Sequence, residues 1–278
     1  MLFRIFTTLI IILNLISCSK NEKIEYDNLK EVEDPIEIYK EGLEAFNTND
    51  FLYASEKFNE AELIFDSPKS AAKSAIMSAY SLYAINLYEQ AEENLNRYLK
   101  NYPGDRNVVY AHYLLAIIHF EQIGDEKYDL KPLLRTQEKV DFFLDNYPDT
   151  EYAIDLKFKK SLLKNQFAAK ELYIAKYYIS VQKWVAAINR LKTIVEKYDE
   201  TIFIEEALHR LVEIHYYLGL DEEAKRYAKI LGYNYNSGEW FKQSYKIINN
   251  DYDYNDKINE DKKKDNDNFI KKIIKIIK

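Results

Sequence analysis

Residues 184–198 have the sequence WVAAINRLKTIVEKY, and this stretch contains the pattern that decides the fold. A small residue, Ala187, is followed at offsets of 4, 7 and 11 by Leu191, Ile194 and Tyr198. These offsets keep all four side chains on one stripe of an α-helix. The stretch therefore predicts an amphipathic helix that ends at its aromatic residue.

The same register occurs in four other places along the chain. The other copies are Ala54-Phe58-Ala61-Phe65, Ala91-Leu95-Tyr98-Tyr102, Thr136-Val140-Phe143-Tyr147 and Ala224-Ala228-Leu231-Tyr235. Another helical stretch precedes each copy and carries its own small residue, such as Gly42, which we expect to face an alanine of the partner helix and allow close approach. Turns are predicted at Asn49-Asp50 and Gly219. The copies start 37, 45, 51 and 37 residues apart, so lengthened helices and a loop at Gly124 to Pro132 are expected.

Composition supports helices and excludes several classes of protein. Only 6 Gly and 5 Pro occur in 278 residues, too few for turn-rich β-sandwiches or dinucleotide folds. A single Cys excludes an internal disulfide and any Cys-based zinc site. A net charge of −7 offers no general field for nucleic acid, so no nucleic-acid partner is predicted.

No motif predicts a metal, a cofactor or catalysis. The histidine pairs His112/His119 and His209/His215 lie seven and six residues apart, and neither matches the i, i+4 spacing of a zinc helix. The chain also lacks a Gly-rich phosphate loop and a G-x-S-x-G motif. We therefore expect a protein that is not an enzyme.

The N-terminus has the features of a lipoprotein signal. Arg4 precedes the apolar run Ile5 to Ile16, which is too short to cross a bilayer, and residues 1–17 are interpreted as a signal peptide. The run ends in Leu15-Ile16-Ser17-Cys18, which resembles a lipobox and implies cleavage before Cys18, a diacylglycerol on its thiol and acylation of the new amine. Residues 18–34 are interpreted as a lipidated tether. The alternative is a secretory signal with an incidental Cys.

The paired helices in a repeated frame resemble the tetratricopeptide repeat. This resemblance implies an all-α fold, a right-handed superhelix of about five helix–turn–helix repeats over residues 35–238, with a concave inner surface that holds peptides or partner helices. A short helix is expected at 239–248. The alternative is an irregular helical bundle, against which five copies in one frame argue.

Longer strings narrow the resemblance. YPDTEYA at 147–153, AAKEL at 168–172, AKYY at 175–178 and WVAAINRL at 184–191 occur in this order. Together they resemble the BamD family of lipoproteins, which belong to the bacterial β-barrel assembly machinery, over roughly Pro35 to Trp240. The resemblance implies an outer-membrane lipoprotein whose repeats face the periplasm. Its implied partners are the BamA-type barrel subunit, other lipoproteins of the complex and unfolded outer-membrane protein precursors.

A receptor for such precursors requires aromatic side chains on its inner wall, because barrel strands alternate apolar and polar residues. Tyr39, Tyr80, Tyr83 and Tyr113 are the candidates on the first helices of the first three repeats; the alternative is that these rings belong to the core between repeats. Asn189 and Arg190 either order the fourth repeat or face a partner. An Arg in this setting is more often solvated or ion-paired.

The C-terminal tail divides into two parts. Residues 249–268 are rich in Asn, Asp and Lys and are predicted to be a disordered linker. Residues 269–278 form a basic amphipathic terminus, because Ile270, Ile273, Ile274 and Ile277 share one helical face. Such a segment could fold on an anionic membrane or in a partner groove, or it could be an unused end.

Three functions compete on this evidence. The first is a lipid-anchored scaffold for outer-membrane protein insertion. The second is a periplasmic tetratricopeptide lipoprotein in cell-envelope maintenance or division. The third, from another class, is an envelope enzyme acting on peptidoglycan, against which the absence of a recognisable acid/base pair argues.

Overall fold

The computed structural model describes residues 34–236 and 238–249. Eleven helices hold 79% of these residues and no strand occurs among them, which confirms the predicted all-α, tetratricopeptide-like fold. The helices are α1 (Pro35–Asn47), α2 (Phe51–Ile64), α3 (Pro68–Ala84), α4 (Tyr88–Asn101), α5 (Val108–Glu121), α6 (Lys131–Asn146), α7 (Glu151–Ser180), α8 (Trp184–Lys197), α9 (Ile204–Tyr217), α10 (Asp221–Asn234) and α11 (Glu239–Ile248). The signal peptide, Cys18, nearly all of the tether, the linker beyond Asn249 and the basic terminus lie outside the described residues.

Two compact units divide the chain between Ile85 and Asn86. The first unit has a small core around Ala45, Ala54 and Phe58, which α1, α2 and α3 surround. The second unit has a larger core to which α7 to α11 contribute, including Leu191, Leu208 and Leu231.

The five register copies fall on α2, α4, α6, α8 and α10, and their side chains turn inward as predicted. Their first and third members are buried in every copy, and only Ala228 among the second members is more exposed. The closing aromatic is the first residue after each helix, and its N–H donates to the carbonyl of the third member over 2.8–3.0 Å. Tyr198 ends its helix in this way although Asp199 replaces the proline that follows Tyr102 and Tyr147. The register itself therefore fixes where these helices stop.

Residues with positive φ close the turns within four of the helix pairs. Asn49, Asn86, Gln182 and Gly219 have φ between 57° and 72°, and each lies two residues before the next helix. At Asn49, Gln182 and Gly219 this residue and its successor donate N–H bonds back to the preceding helix, as in a Schellman motif. The turns predicted at Asn49-Asp50 and Gly219 are thus present.

The longer spacings are explained by one loop and one long helix. Residues 122–130 connect α5 to α6 without a regular helix, and the Lys170 ammonium donates to the Tyr128 carbonyl there over 2.7 Å. The 30-residue α7 contacts α6 through Lys160 and Asp141 and contacts α8 through Glu171 and Arg190. Each half of α7 thus serves a different neighbouring helix.

Gly42 packs directly against α2. A Cβ placed on it would lie 2.9 Å from two ring carbons of Phe58 and 3.3 Å from the Cβ of Lys57. The sequence predicted that this small residue would face an alanine, whereas its nearest neighbours belong to Phe58. The Phe58 ring therefore occupies the space that a side chain at position 42 would need.

Candidate binding surfaces

Tyr39 is part of the core of the first unit. Its ring centroid lies 5.3 Å from that of Phe58 on α2 and 6.4 Å from that of Phe65, the first residue after α2. The Lys73 ammonium lies 5.0 Å from the centre of the Tyr39 ring. These contacts favour a packing role for Tyr39, although the alternative left open was a core between repeats and both ring partners lie in its own repeat.

Tyr80 and Tyr83 form a half-buried aromatic group that joins two helices. The Tyr80 ring lies 5.9 Å from Phe46 of α1 and 6.0 Å from Tyr83 of α3. All three rings keep part of their surface open to solvent. We call Phe46, Tyr80 and Tyr83 the first aromatic group; it presents apolar ring surface where a peptide could pack.

Tyr113 belongs to a second aromatic group, in the second unit. Its ring stacks on Tyr152 at 4.7 Å, and its hydroxyl donates to the Asp155 carboxylate over 3.0 Å. Tyr110 completes the group, 6.3 Å from Tyr113 and 5.8 Å from Tyr152. Sequence reasoning missed Tyr110 and Tyr152 as candidates. The i, i+3 spacing of Tyr110 and Tyr113 was an available signal, but nothing local paired them with Tyr152.

Asn189 and Arg190 line a shallow surface recess together with Tyr178, Ala186 and Thr193. The Asn189 side chain is exposed, and the backbone carbonyl of Asn189 accepts a hydrogen bond from the Thr193 hydroxyl over 3.0 Å. Arg190 donates from Nη1 to both oxygens of Glu171, each over 3.2 Å, while 43% of its side chain remains exposed. Arg190 is therefore ion-paired and accessible at once, and sequence reasoning had not named Glu171.

The four histidines have packing partners. His112 lies against Phe142 and Tyr147, and burial, aided by Lys139, lowers its pKa. His119 faces Glu92 at 3.3 Å. His215 Nδ1 lies 2.7 Å from the carbonyl of Leu211, one turn earlier in α9.

His209 lies at the centre of a buried polar cluster between α9 and α11. Its Nδ1 is 2.8 Å from the Ser244 hydroxyl, and its Nε2 is 3.3 Å from Glu213. Arg210 bridges Glu213 and Glu206, and the Trp240 ring covers both the histidine and the guanidinium. Among residues 34–236 and 238–249, no group of three or more His, Cys, Asp or Glu is arranged to hold a metal ion. Through Ser244 and Trp240, which lie on α11, the cluster connects that helix to α9.

Within the same residues, none of the helices is both long enough and apolar enough to span a bilayer.

Comparison with known proteins identifies related sequences. Residues 32–231 match a protein-family model named YfiO and described as an outer membrane lipoprotein. A Rickettsia prowazekii protein named outer membrane protein assembly factor BamD is 32% identical over 213 residues, covering 77% of this chain and 85% of the relative. The protein of the same name from Caulobacter vibrioides is 34% identical over 218 residues, covering 78% of this chain and 72% of the relative.

Proposed function

Because the chain belongs to the BamD family, we propose that it is an outer membrane protein assembly factor. It acts as a lipid-anchored scaffold on the periplasmic face of the outer membrane. It holds a BamA-type barrel subunit, contacts other lipoproteins of the complex and receives unfolded precursors of outer-membrane barrels. It makes and breaks no covalent bonds of its own. The observation that carries this proposal is the family match, which runs from before α1 into the fifth register copy.

The proposed anchor is the lipidated Cys18, with a diacylglycerol on its thiol and a third acyl chain on its amine. Three acyl chains bury enough methylene groups, at about 0.8 kcal/mol each, for stable attachment without a second signal. Replacement of Cys18 by alanine is expected to leave an uncleaved, mislocalised precursor. Retention of the variant in washed outer membranes would contradict lipid attachment.

The first aromatic group is proposed to receive precursor strands. Strands of outer-membrane barrels present an apolar side chain at every second position, and half-exposed rings offer flat surface for such side chains. Tyr80 and Tyr83 remain the strongest of the four predicted tyrosines, because they are half-buried on one helix and lie outside the Tyr39–Phe58 contact. Tyr113 is a second candidate, with Tyr110 and Tyr152 beside it.

Crosslinking of a stalled precursor tests this surface. The pair Tyr80→Ala and Tyr83→Ala should reduce precursor crosslinking severalfold while changing the melting temperature less than Tyr39→Ala does. Tyr39→Ala is the matched control, since it removes a ring from the core of the same unit. If crosslinking and melting temperature fall in proportion for both variants, Tyr80 and Tyr83 belong to the core.

The recess at Asn189 and Arg190 is proposed to face the barrel subunit. An exposed guanidinium beside an amide is suited to bind a carboxylate with specific geometry. Glu171 occupies only one edge of the Arg190 side chain, so other N–H groups of the guanidinium can reach a partner.

A pair of variants separates the partner role from the intrachain ion pair. Arg190→Ala should lower recovery of the barrel subunit in a pull-down from detergent-solubilised membranes. Glu171→Gln removes the same ion pair but keeps the guanidinium, and recovery should stay near the level of the unmodified protein. Equal losses in the two variants would assign Arg190 to the ordering of the fourth repeat. Failure of the unmodified protein to recover any BamA-type subunit would contradict the scaffold proposal itself.

A further inference from the structure

The side of α2 that faces away from the core carries two exposed leucines. Leu52 is 50% exposed and Leu63 is 82% exposed. At 100° per residue their directions differ by about 20°, and they lie about 16 Å apart along the helix axis. Ala54, Phe58 and Ala61, which α2 buries, point about 120–180° away from them. A surface helix normally has polar residues on this side, so the two leucines mark an interaction site.

Two glutamates lie on the same side of α2. Glu56 points within about 40° of both leucines, and Glu60 points within about 80° of them. Both glutamates are exposed, and Glu56 forms no ion pair within residues 34–236 and 238–249. We call Leu52, Glu56, Glu60 and Leu63 the α2 face.

The edge of α1 beside the α2 face is also acidic. The Tyr53 hydroxyl of α2 donates to the Glu41 carboxylate, which holds that carboxylate against α2. Glu37 and Glu44 are exposed on the same side of α1, about 40–60° from Glu41. The two helices thus present carboxylates on adjoining sides.

Two of the nearby lysines are already paired with these carboxylates. Residues 34–85 contain nine acidic and four basic side chains, a net charge of −5. Lys40 is paired with a glutamate one turn earlier in α1, over 2.7 Å. Lys57 is paired with both Glu41 and Glu60, over 3.1 and 3.2 Å. The surplus of negative charge therefore remains.

The other two lysines lie on the far side of α3. Ser78 marks the side of α3 that faces α2, because its hydroxyl lies 2.8 Å from the Ser55 hydroxyl. Lys69 and Lys73 precede Ser78 by nine and five residues, which places them about 180° and 140° around the helix. Lys73 lies instead over the Tyr39 ring, 5.0 Å from its centre. None of the four lysines in residues 34–85 therefore lies free at the α2 face.

We infer that the α2 face is a docking surface for a basic amphipathic segment of a partner protein. Apolar side chains of that segment would cover Leu52 and Leu63, and its lysines or arginines would pair with Glu56 and Glu60. An anionic lipid surface does not fit, because its phosphates would meet these carboxylates. The α2 face shares no residue with the first aromatic group, and the inference does not depend on the proposed function.

Site-specific photocrosslinking in native membranes tests the inference. Benzoylphenylalanine at position 63 of the full chain should form one main adduct, and mass spectrometry should map it to a segment of net positive charge that contains apolar residues. Leu52→Ser should lower the adduct yield about fivefold, because the other apolar contact is lost. Glu56→Lys should lower it about three- to fivefold, since it replaces an exposed attraction by a repulsion.

Two controls use exposed positions in the second unit. The same probe at Tyr233, which is 89% exposed, should give no adduct with this segment. Glu93→Lys reverses another exposed glutamate and should leave the yield from position 63 unchanged. An adduct on an acidic segment, on lipid or on a second copy of this chain would overturn the inference, as would absence of an adduct or a yield that Glu56→Lys does not lower.

Discussion

Substitution of Gly42 by alanine sets two effects of opposite sign against each other. In a helix interior, alanine is favoured over glycine by about 1 kcal/mol. The new Cβ would however lie 2.9 Å from two carbons of the fully buried Phe58 ring and 3.3 Å from the Lys57 Cβ. Forcing a methyl group into such a closely packed core costs about 1–3 kcal/mol. We therefore expect Gly42→Ala to lower the free energy of unfolding by about 1 kcal/mol, although alanine is the better helix former.

Gly232→Ala is the matched control. Its Cβ would also meet a phenylalanine ring at 2.9 Å, but that ring, Phe241, is only half-buried and has room to move. Gly232→Ala should therefore leave the free energy of unfolding nearly unchanged. The two glycines have the same nearest distance and differ in how freely the neighbouring ring can yield.

Urea unfolding combined with native-state hydrogen exchange measures the effect. The exchange data assign the loss to α1 and α2, which is necessary because a chain of two compact units need not unfold in one transition. Phe58→Leu alone should also lower the free energy of unfolding. In the double variant, however, it should relieve the Gly42→Ala clash, so the combined loss should be smaller than the sum of the two single losses by about 1 kcal/mol. Stabilisation by Gly42→Ala, with strictly additive effects in the double variant, would refute the reasoning.

Three further outcomes are expected. Tyr98→Phe removes the 2.6 Å hydrogen bond from a buried hydroxyl to Asp105 and should lower the free energy of unfolding by about 1–2 kcal/mol in urea titrations. Burial acts to raise the Asp105 pKa, but the hydrogen bonds from Tyr98 and Asn107 outweigh it and keep that pKa low. The Asp105 pKa should therefore rise in the variant, and an unchanged pKa would argue against the Tyr98 hydrogen bond. Burial lowers the His112 pKa, so the unfolded state binds the proton more readily and the folded state loses stability as pH falls through about 6.5. Between pH 7.5 and 5.5, the melting temperature of His112→Phe should therefore fall less than that of the unmodified protein. An equal fall in both proteins would contradict this assignment. Gly219 has a φ of +72° with open space around it, so only backbone strain should oppose a side chain there. In thermal unfolding, Gly219→Ala should lower the free energy of unfolding by about 1 kcal/mol and Gly219→Asn should lower it clearly less. Equal effects of the two substitutions would show that the turn relaxes.

The repeat register could be predicted because its information is local. Ala187, Leu191 and Ile194 share a helical stripe in any environment, and that stripe becomes buried whenever a second amphipathic helix follows a short turn. The aromatic end of each register helix was predictable for the same reason. Even Thr136, a polar residue in the register, is buried as expected, because its hydroxyl lies within hydrogen-bonding distance of the carbonyls of Pro132 and His119 and can donate to either.

The candidate binding residues were less predictable, because similar sequence positions have different surroundings. Tyr39 and Tyr80 both lie on the first helix of a repeat, yet Tyr39 packs on Phe58 of its own pair and Tyr80 reaches Phe46 of the preceding one. For Arg190 the sequence favoured a solvated or ion-paired side chain, but it did not identify the partner Glu171, which lies 19 residues away on another helix.

The sequence by itself determined the register helices, their aromatic ends and the side of each that turns inward, since these depend on residues within about one or two turns of each other. Only the tertiary structure decided which of the remaining apolar side chains are covered. In α7, Leu156 and Phe158 are both large and apolar and stand two residues apart, yet one is fully buried and the other is 63% exposed. The physical reason is that burial depends on which distant helix lies against a face, and no local period along α7 records that.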